Sequence, residues 1–448
     1  MYMRLIFTVS VFLSFGALSE APASVAPKAL DSMDANQVSR LRVEGAEFKI
    51  FNLFFPETQL SLLLNSLERK NSADIRQIIE RDLAITGGFK IITGSGVPQK
   101  NNNEALLKQK GAEGVTYLSL SFKGPLIRAA IEHKNFMTGK AAKHNFEGNT
   151  AQIRRFAHQL AQSIYENYIG PEDIFVRQIA AIKKGKASSQ VVLLDFDGQG
   201  ELIISSGLTY KSAPYFAPDG KTILYTIISD QGQRIVEQEV GSKHIQERTN
   251  KAGNNMDARV MPDNSGLLAT LSLGKVENIY KLTRSGEIIG KITDSLGPNL
   301  SPSISPDGKN FVFVSNRSGS SQIYEQPLMV SNKSPAERLT TQGRYNQTPH
   351  YSPDGRLIAF TGRDEQKILD VFLLERSTKR VSRVTQNQGR NQEPYFVPSG
   401  NFVILSSERD GHSSSPELYL ASLNGNHQYR LTNTGGYITP VVRPGAIK

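Results

Sequence analysis

Hydrophobic positions along this chain follow two different patterns. Between Leu41 and Gly170 they recur at helical spacing in places and as strand-like runs between. From about Asp173 onward they come only in short strand-like runs parted by polar turns. In the first region, Phe48 to Phe55 reads as a strand rich in aromatic and branched residues. Ser72 is placed to cap a helix running to Ile85, with Ile75, Ile78, Ile79 and Leu83 on one face and Gly87-Gly88 as its stop. The pattern predicts a short helix over 103–110 and strands over 115–122 and 126–131. A longer helix follows, capped by Thr150, carrying Ile153, Phe156, Ala157, Leu160 and Ile164, and ended by Gly170. The expectation for residues 41–170 is a small α/β domain with helices on one side of a sheet.

The second region is periodic. Ala217-Pro218-Asp219-Gly220 returns as Met261-Pro262-Asp263-Asn264, Ser305-Pro306-Asp307-Gly308, Ser352-Pro353-Asp354-Gly355, Val397-Pro398-Ser399-Gly400 and Arg443-Pro444-Gly445, at steps of 44 to 47 residues. A period of this size in all-β units marks a propeller. Proline presets the backbone angle and glycine relieves the tight return, so the motif joins the first and second strands of a blade. Third strands carry Ile279-Tyr280, Ile323-Tyr324, Val371-Phe372 and Leu418-Tyr419. Fourth strands end in Lys291-Ile292-Thr293, Arg338-Leu339-Thr340, Arg383-Val384-Thr385 and Arg430-Leu431-Thr432. Thr249, Thr293, Thr340 and Thr385 each precede the next turn proline by 13 residues, as does Ser205. Pro444 of the sixth motif is followed by four residues, and that repeat supplies one strand, around 438–443, while three strands (176–181, 190–196 and 201–205) stand unassigned before the first motif. The last blade therefore takes its innermost strand from the C-terminal residues and the others from residues after Asp173. This closes a six-bladed β-propeller over 171–448 without open edges around the ring.

Ahead of both regions, Arg4 and an apolar run from Leu5 to Leu18, followed by small residues around Ala17 and Ala21 to Ala23, have the layout of a secretory signal peptide over 1–23. The run is shorter than the ~20 residues that span a bilayer. Residues 24–40 are polar and read as a flexible arm. The chain has no cysteine, which excludes disulfides and thiolate metal sites. Its net charge of +10 suits anionic envelope polymers or an acidic partner as well as nucleic acid; export argues against nucleic acid.

The order of signal peptide, arm, Asp74-Ile75-Arg76 to Gly87-Gly88-Phe89-Lys90, a helix ending near Gly170, Phe175-Val176-Arg177-Gln178-Ile179-Ala180 and six blades resembles the TolB family of the Tol-Pal envelope system over essentially the whole chain. The turn departs from the family pattern at Asn264, Ser399 and Gly445, without moving its position. The resemblance implies a non-enzymatic periplasmic adaptor with no cofactor. Its propeller would bind the peptidoglycan-associated lipoprotein Pal, its arm TolA of the inner membrane, and the assembly would help the outer membrane constrict at division.

Rival chemistry finds little support in the residues. No Gly-x-Ser-x-Gly elbow occurs for a serine hydrolase. None of the seven histidines has His-Glu-x-x-His spacing. His158 on a helix is expected to be structural, and His350 to lie in an inner strand near the channel. Asp195-Phe196-Asp197-Gly198 reads as a hairpin turn rather than a calcium loop, and Lys183-Lys184-Gly185-Lys186 as a turn with solvated charge. A propeller that takes a peptidoglycan or glycan ligand in its channel is the alternative; Tyr215, Phe216, Tyr351, Tyr395 and Phe396 would serve it, although alternation favours inter-blade core.

In a propeller, the loops from one blade's outer strand to the next blade's inner strand gather at one mouth of the channel. Here they are expected to be seven to nine residues long, carrying Tyr210, Asn254, Asn255, Asn299, Arg344, Asn346, Arg390, Asn391, Glu393 and Tyr437, with Lys211, Tyr345, Gln347 and Gln392 among them. Amides, arginine and tyrosine around a funnel suit protein binding by hydrogen bonds and aromatic anchors, and these are the candidate partner-binding residues.

Overall fold

The structure, a computed structural model, describes residues 50–56, 59–60, 65–92, 104–328, 335–363, 368–409 and 415–445. The predicted signal peptide and arm lie outside the described residues.

The α/β domain begins with β1 (Phe51–Phe54) and the two-residue β2 (Gln59–Leu60). Helix α1 (Ser66–Ile85) follows, then β3 (Phe89–Ile92), helix α2 (Glu104–Gln109), β4 (Gly114–Lys123), β5 (Leu126–Asn135), β6 (Ala141–Asn149) and helix α3 (Ile153–Tyr168). Strand order is β3-β1-β4-β5-β6, with β2 beside β4; β1 runs parallel to both neighbours, and β4, β5 and β6 form an antiparallel meander. Helices α1 and α3 pack on one face, where Ile75, Ile79, Leu83, Phe156, Leu160 and Ile164 meet Phe51, Leu53, Leu118, Ile127 and Ile131. Helix α2 does not join them. Its Leu107 meets Phe54 and Val115 on the opposite face, because neighbouring residues of a strand point to opposite sides. The expectation of helices on one side is thus corrected.

Two predicted caps are also corrected. Asn65 caps α1: its side chain accepts from the Glu68 N–H at 2.9 Å while the Glu68 carboxylate accepts from the Asn65 N–H at 2.9 Å. Ser72 is buried inside that helix. Before α3, Asn149 accepts from the Ala151 N–H at 2.9 Å and opens a 3-10 turn over Thr150–Gln152, so Thr150 is not the cap. Strand β6 escaped the sequence reading because its residues are exposed or half-buried throughout and carry no apolar row.

The propeller has six four-stranded blades, with inner strands Tyr210–Phe216, Asn255–Val260, Asn299–Ile304, Asn346–Tyr351, Asn391–Phe396 and Tyr437–Val442. The last of these pairs with Gln178–Lys184, which pairs with Ser189–Asp195 and then Leu202–Ile203, as closure by the C-terminal strand requires. The repeated turn works by local bonds. In the third blade Gly308 N–H donates to Ser305 O at 2.9 Å and Lys309 N–H to Asp307 Oδ1 at 3.0 Å. The departures keep this scheme. Asn264 takes the left-handed φ of +60° that glycine holds elsewhere, and the Ser399 hydroxyl stands in for the aspartate, accepting from Asn401 N–H at 3.4 Å.

The α/β domain sits on the propeller face that carries the turns between third and fourth strands. One apolar core continues across the junction, from Ile79, Leu160 and Phe175 to Leu194, Leu420 and Leu431. His427, in the turn of the fifth blade, meets Ile85 O through Nε2 at 2.7 Å. Gly87 beside it has φ +67°, and a side chain there would strike the imidazole. Around this core lies a charged cluster. Arg154 spans Asp195 and Asp197, each at 2.7 Å; Arg81 donates to the carbonyls of Asp197 and Leu431 at 3.0 Å; and His158 Nδ1 lies 2.7 Å from Asp82 Oδ2. Burial opposes the charge on His158, but Asp82, with Asp195 and Asp197 behind it, outweighs burial and pushes the imidazole up to about 10. His158, Asp195 and Asp197 present atoms within 4.8 Å of one another, as a metal site would, yet the Arg154 guanidinium already occupies the space between the carboxylates. The structural role expected of His158 and the hairpin expected at Asp195 to Gly198 both hold, with the ion pair added.

Candidate protein-binding mouth

At the opposite face the loops between blades gather around the channel. Inner strands start here and run away from it. Their first residues are Asn255, Asn299, Asn346 and Asn391, which are buried. Asn391 donates to Asp370 Oδ1 and Gly389 O, both at 3.1 Å, and Asn346 to Gln322 Oε1 and Gln342 O, both at 2.9 Å. Asn299 donates to Asn278 Oδ1 at 2.9 Å, and Asn255 to Lys251 O at 2.6 Å. The threonine of the Arg-Leu-Thr mark completes each knot. Thr385 accepts from Val371 N–H at 3.0 Å and donates to Asp370 at 2.5 Å, and Thr340 and Thr432 repeat the scheme. In the first blade Lys211 takes the asparagine's place, its buried ammonium donating to Gly207 O and Thr209 O at 2.8 Å. In the sixth, buried Tyr437 sits under Lys183 and bonds Glu201. The 13-residue spacing therefore ties each blade to the next. It also shortens the free loops below the expected length, because the strands begin at these residues.

The ten candidates thus separate. Asn255, Asn299, Asn346, Asn391 and Tyr437 are buried fasteners. Tyr210, Arg344 and Arg390 are exposed, and Asn254 is half-buried with its amide on Glu277 at 2.8 Å. Glu393 stands deeper, in the channel. Residues that the sequence reading missed join the rim: Leu208 and Leu296 stand almost wholly in solvent, and Leu273 lies in a neighbouring turn of the same face. Their signal was present, since each is a lone apolar residue in a polar loop. The rim is consequently apolar toward the first three blades and cationic at the fourth and fifth.

Two residues into each inner strand, or three in the first blade, the backbone turns left-handed at a bulge: Ala213, Asp257, Ser301, Thr348, Glu393 and Thr439 all have φ between 49 and 57°. Such angles are uncommon for residues other than glycine and strained for threonine. Bonds to neighbouring blades hold them: Asp257 accepts from Ser301 N–H at 3.2 Å, and Glu393 accepts from Thr439 N–H at 2.7 Å. Burial pushes Glu393 up to about 7, the Thr439 bond opposing it. Two residues further on, Arg259 lies 4.8 Å over the Tyr215 ring and His350 packs on Tyr395 at 3.9 Å. Burial drives His350 down to about 3, leaving a neutral imidazole. Phe216, Tyr351 and Phe396 are inter-blade core as expected, whereas Tyr215 and Tyr395 are only partly covered.

The chain is similar to known proteins in sequence and fold. The family model described as the TolB beta propeller domain matches residues 165–370. The Tol-Pal system protein TolB of Bordetella pertussis is 28% identical over 333 residues, covering 64% of this chain and 76% of the relative. That of Bordetella parapertussis is 27% identical over 372 residues, covering 72% and 84%. The crystal structure of TolB from Acinetobacter baumannii has the same fold, with a TM-score of 0.77 at 20% identity, covering 89% of this chain and 97% of that one. With the six-bladed ring, the α/β domain docked on it and a propeller sequence that matches the TolB beta propeller model, this chain is similar to the TolB proteins of the Tol-Pal system.

Proposed function

We propose that this chain is a non-enzymatic periplasmic adaptor of the Tol-Pal system. A Pal-like lipoprotein docks at the mouth, and residues 24–40 engage a TolA-like protein of the inner membrane. The observation that carries the reading is the rim, where Leu208, Leu296, Tyr210, Arg344 and Arg390 stand exposed over a channel whose blades are locked by buried amides. A rigid frame with aromatic, apolar and arginine groups at its edge binds protein without a large ordering cost. The test is calorimetric titration of residues 24–448 with the soluble domain of the same organism's Pal. Tight one-to-one binding, weakened by Arg344→Ala, supports the reading; a folded protein that gives no heat sinks it. Deleting residues 24–40 should change that affinity if arm and mouth are coupled.

A second reading, a peptidoglycan or glycan fragment in the channel, is favoured by Tyr215, Tyr395, Arg259 and Glu393 gathered there. Titration with peptidoglycan fragments distinguishes it, because Tyr395→Ala would then abolish binding while Arg344→Ala would not.

A further inference from the structure

Strand β6 forms one edge of the α/β sheet. It is nine residues long, pairs with β5 from Leu126↔Asn149 to Lys134↔Ala141 without a bulge, and contains no proline. Long regular edges of this kind are templates for a further strand, and proteins ordinarily blunt them. Among the described residues nothing pairs with its outer side. Which residues offer their backbone follows from the hairpin. Asn135 N–H donates to Lys140 O, so alternation makes His133 with Ala142 and Ile131 with His144 the bonded pairs. Lys143, Asn145 and Glu147 therefore direct their N–H and C=O groups outward.

We propose that this edge pairs with the same edge of a second copy of the chain, antiparallel about Asn145. That register sets Lys143 against Glu147 of the other copy and Ala141 against Asn149, so every outward group meets another outward group along the whole strand. Charge supports the same register. Arg128 already bonds Glu147 at 2.7 Å, and Lys143 bonds Glu132 at 2.5 Å, on one exposed face of the meander. Across the seam these pairs join into two rows, Arg128, Glu147, then Lys143 and Glu132 of the second copy, with signs alternating throughout. Other registers that keep the backbone bonding either lose this match or leave part of the strand unpaired. The contact is isologous, closing on itself as a two-fold dimer, and leaves both propeller mouths free.

Sedimentation equilibrium on residues 24–448 at pH 7 and low salt tests this. The expected result is a reversible dimer whose dissociation constant rises at least tenfold in Glu147→Lys and in Lys143→Glu, because each places like charges together twice. The double variant K143E/E147K should bring the dimer back, which also shows that the single variants remain folded. Arg344→Ala at the mouth should leave the dimer unchanged, so this inference and the adaptor reading fail separately. A monomer at every concentration overturns the proposal, whether the edge then takes another protein's extended segment or one of this chain's own. So does a dimer indifferent to both charge reversals.

Discussion

The two faces of the propeller treat charge in opposite ways. Under the α/β domain, Asp82, His158, Arg154, Asp195 and Asp197 are drawn into short contacts, with His158, Asp82 and Asp197 out of solvent. At the mouth, Arg344 and Arg390 are exposed and the buried groups beneath them are mostly neutral amides and hydroxyls. Charges taken out of water hold two bodies in one geometry only while each keeps its partner. Charges left in water add little to stability and stay available to another molecule. One face therefore reads as a joint and the other as a docking surface, and the two should answer mutation differently.

The largest contrast is expected from Asp82→Ala, which removes the main support of the His158 charge and leaves that buried imidazole without its 2.7 Å partner, and should cost about 3–5 kcal/mol in urea unfolding. Arg344→Ala should stay within about 0.5 kcal/mol of the parent. A pH series sharpens the same point. His158 is raised by folding, so its stabilising contribution is full below its unfolded value of 6.5 and is lost as pH rises toward about 10. The parent should lose stability over that window, while His158→Gln should lose less. Next comes Asn391→Ala, which leaves the Asp370 carboxylate and the Gly389 carbonyl short of a donor and should lower stability by about 1–3 kcal/mol. If its denaturant midpoint does not move, the buried asparagines are not fasteners and the division of the mouth residues collapses. The smallest effect is from Arg390→Ala, which should weaken the lipoprotein about tenfold, or about 1.4 kcal/mol, and lower stability by no more than about 1 kcal/mol through the lost contact with Glu408 at 3.6 Å.

Much of this was legible from sequence, and for a stated reason. The turn motif acts through bonds between residues two or three apart, such as Asp307 with Lys309, so it could be read wherever it fell, even with Asn264 or Ser399 substituted. The mouth was legible only as a set of loops. The asparagines there look identical in sequence to solvent-facing amides, and only the opposing Gln322 or Asp370, 24 or 21 residues away, shows that they are tied down. Strand β6 was not legible at all, since a solvated edge strand has no apolar row to betray it.

By itself, the sequence determined the period, the six blades, the strand exchange that closes the ring and the α/β domain ahead of it, because turn chemistry and hydrophobic alternation are local properties of the chain. Tertiary structure alone decided which polar residues are free to meet a partner. It brought His158 to Asp82 across 76 positions and Arg81 to Asp197 across 116. It buried four of the mouth's asparagines and left its leucines in water. Burial and pairing depend on what folds over a residue, and that is settled by contacts far outside its own stretch of chain.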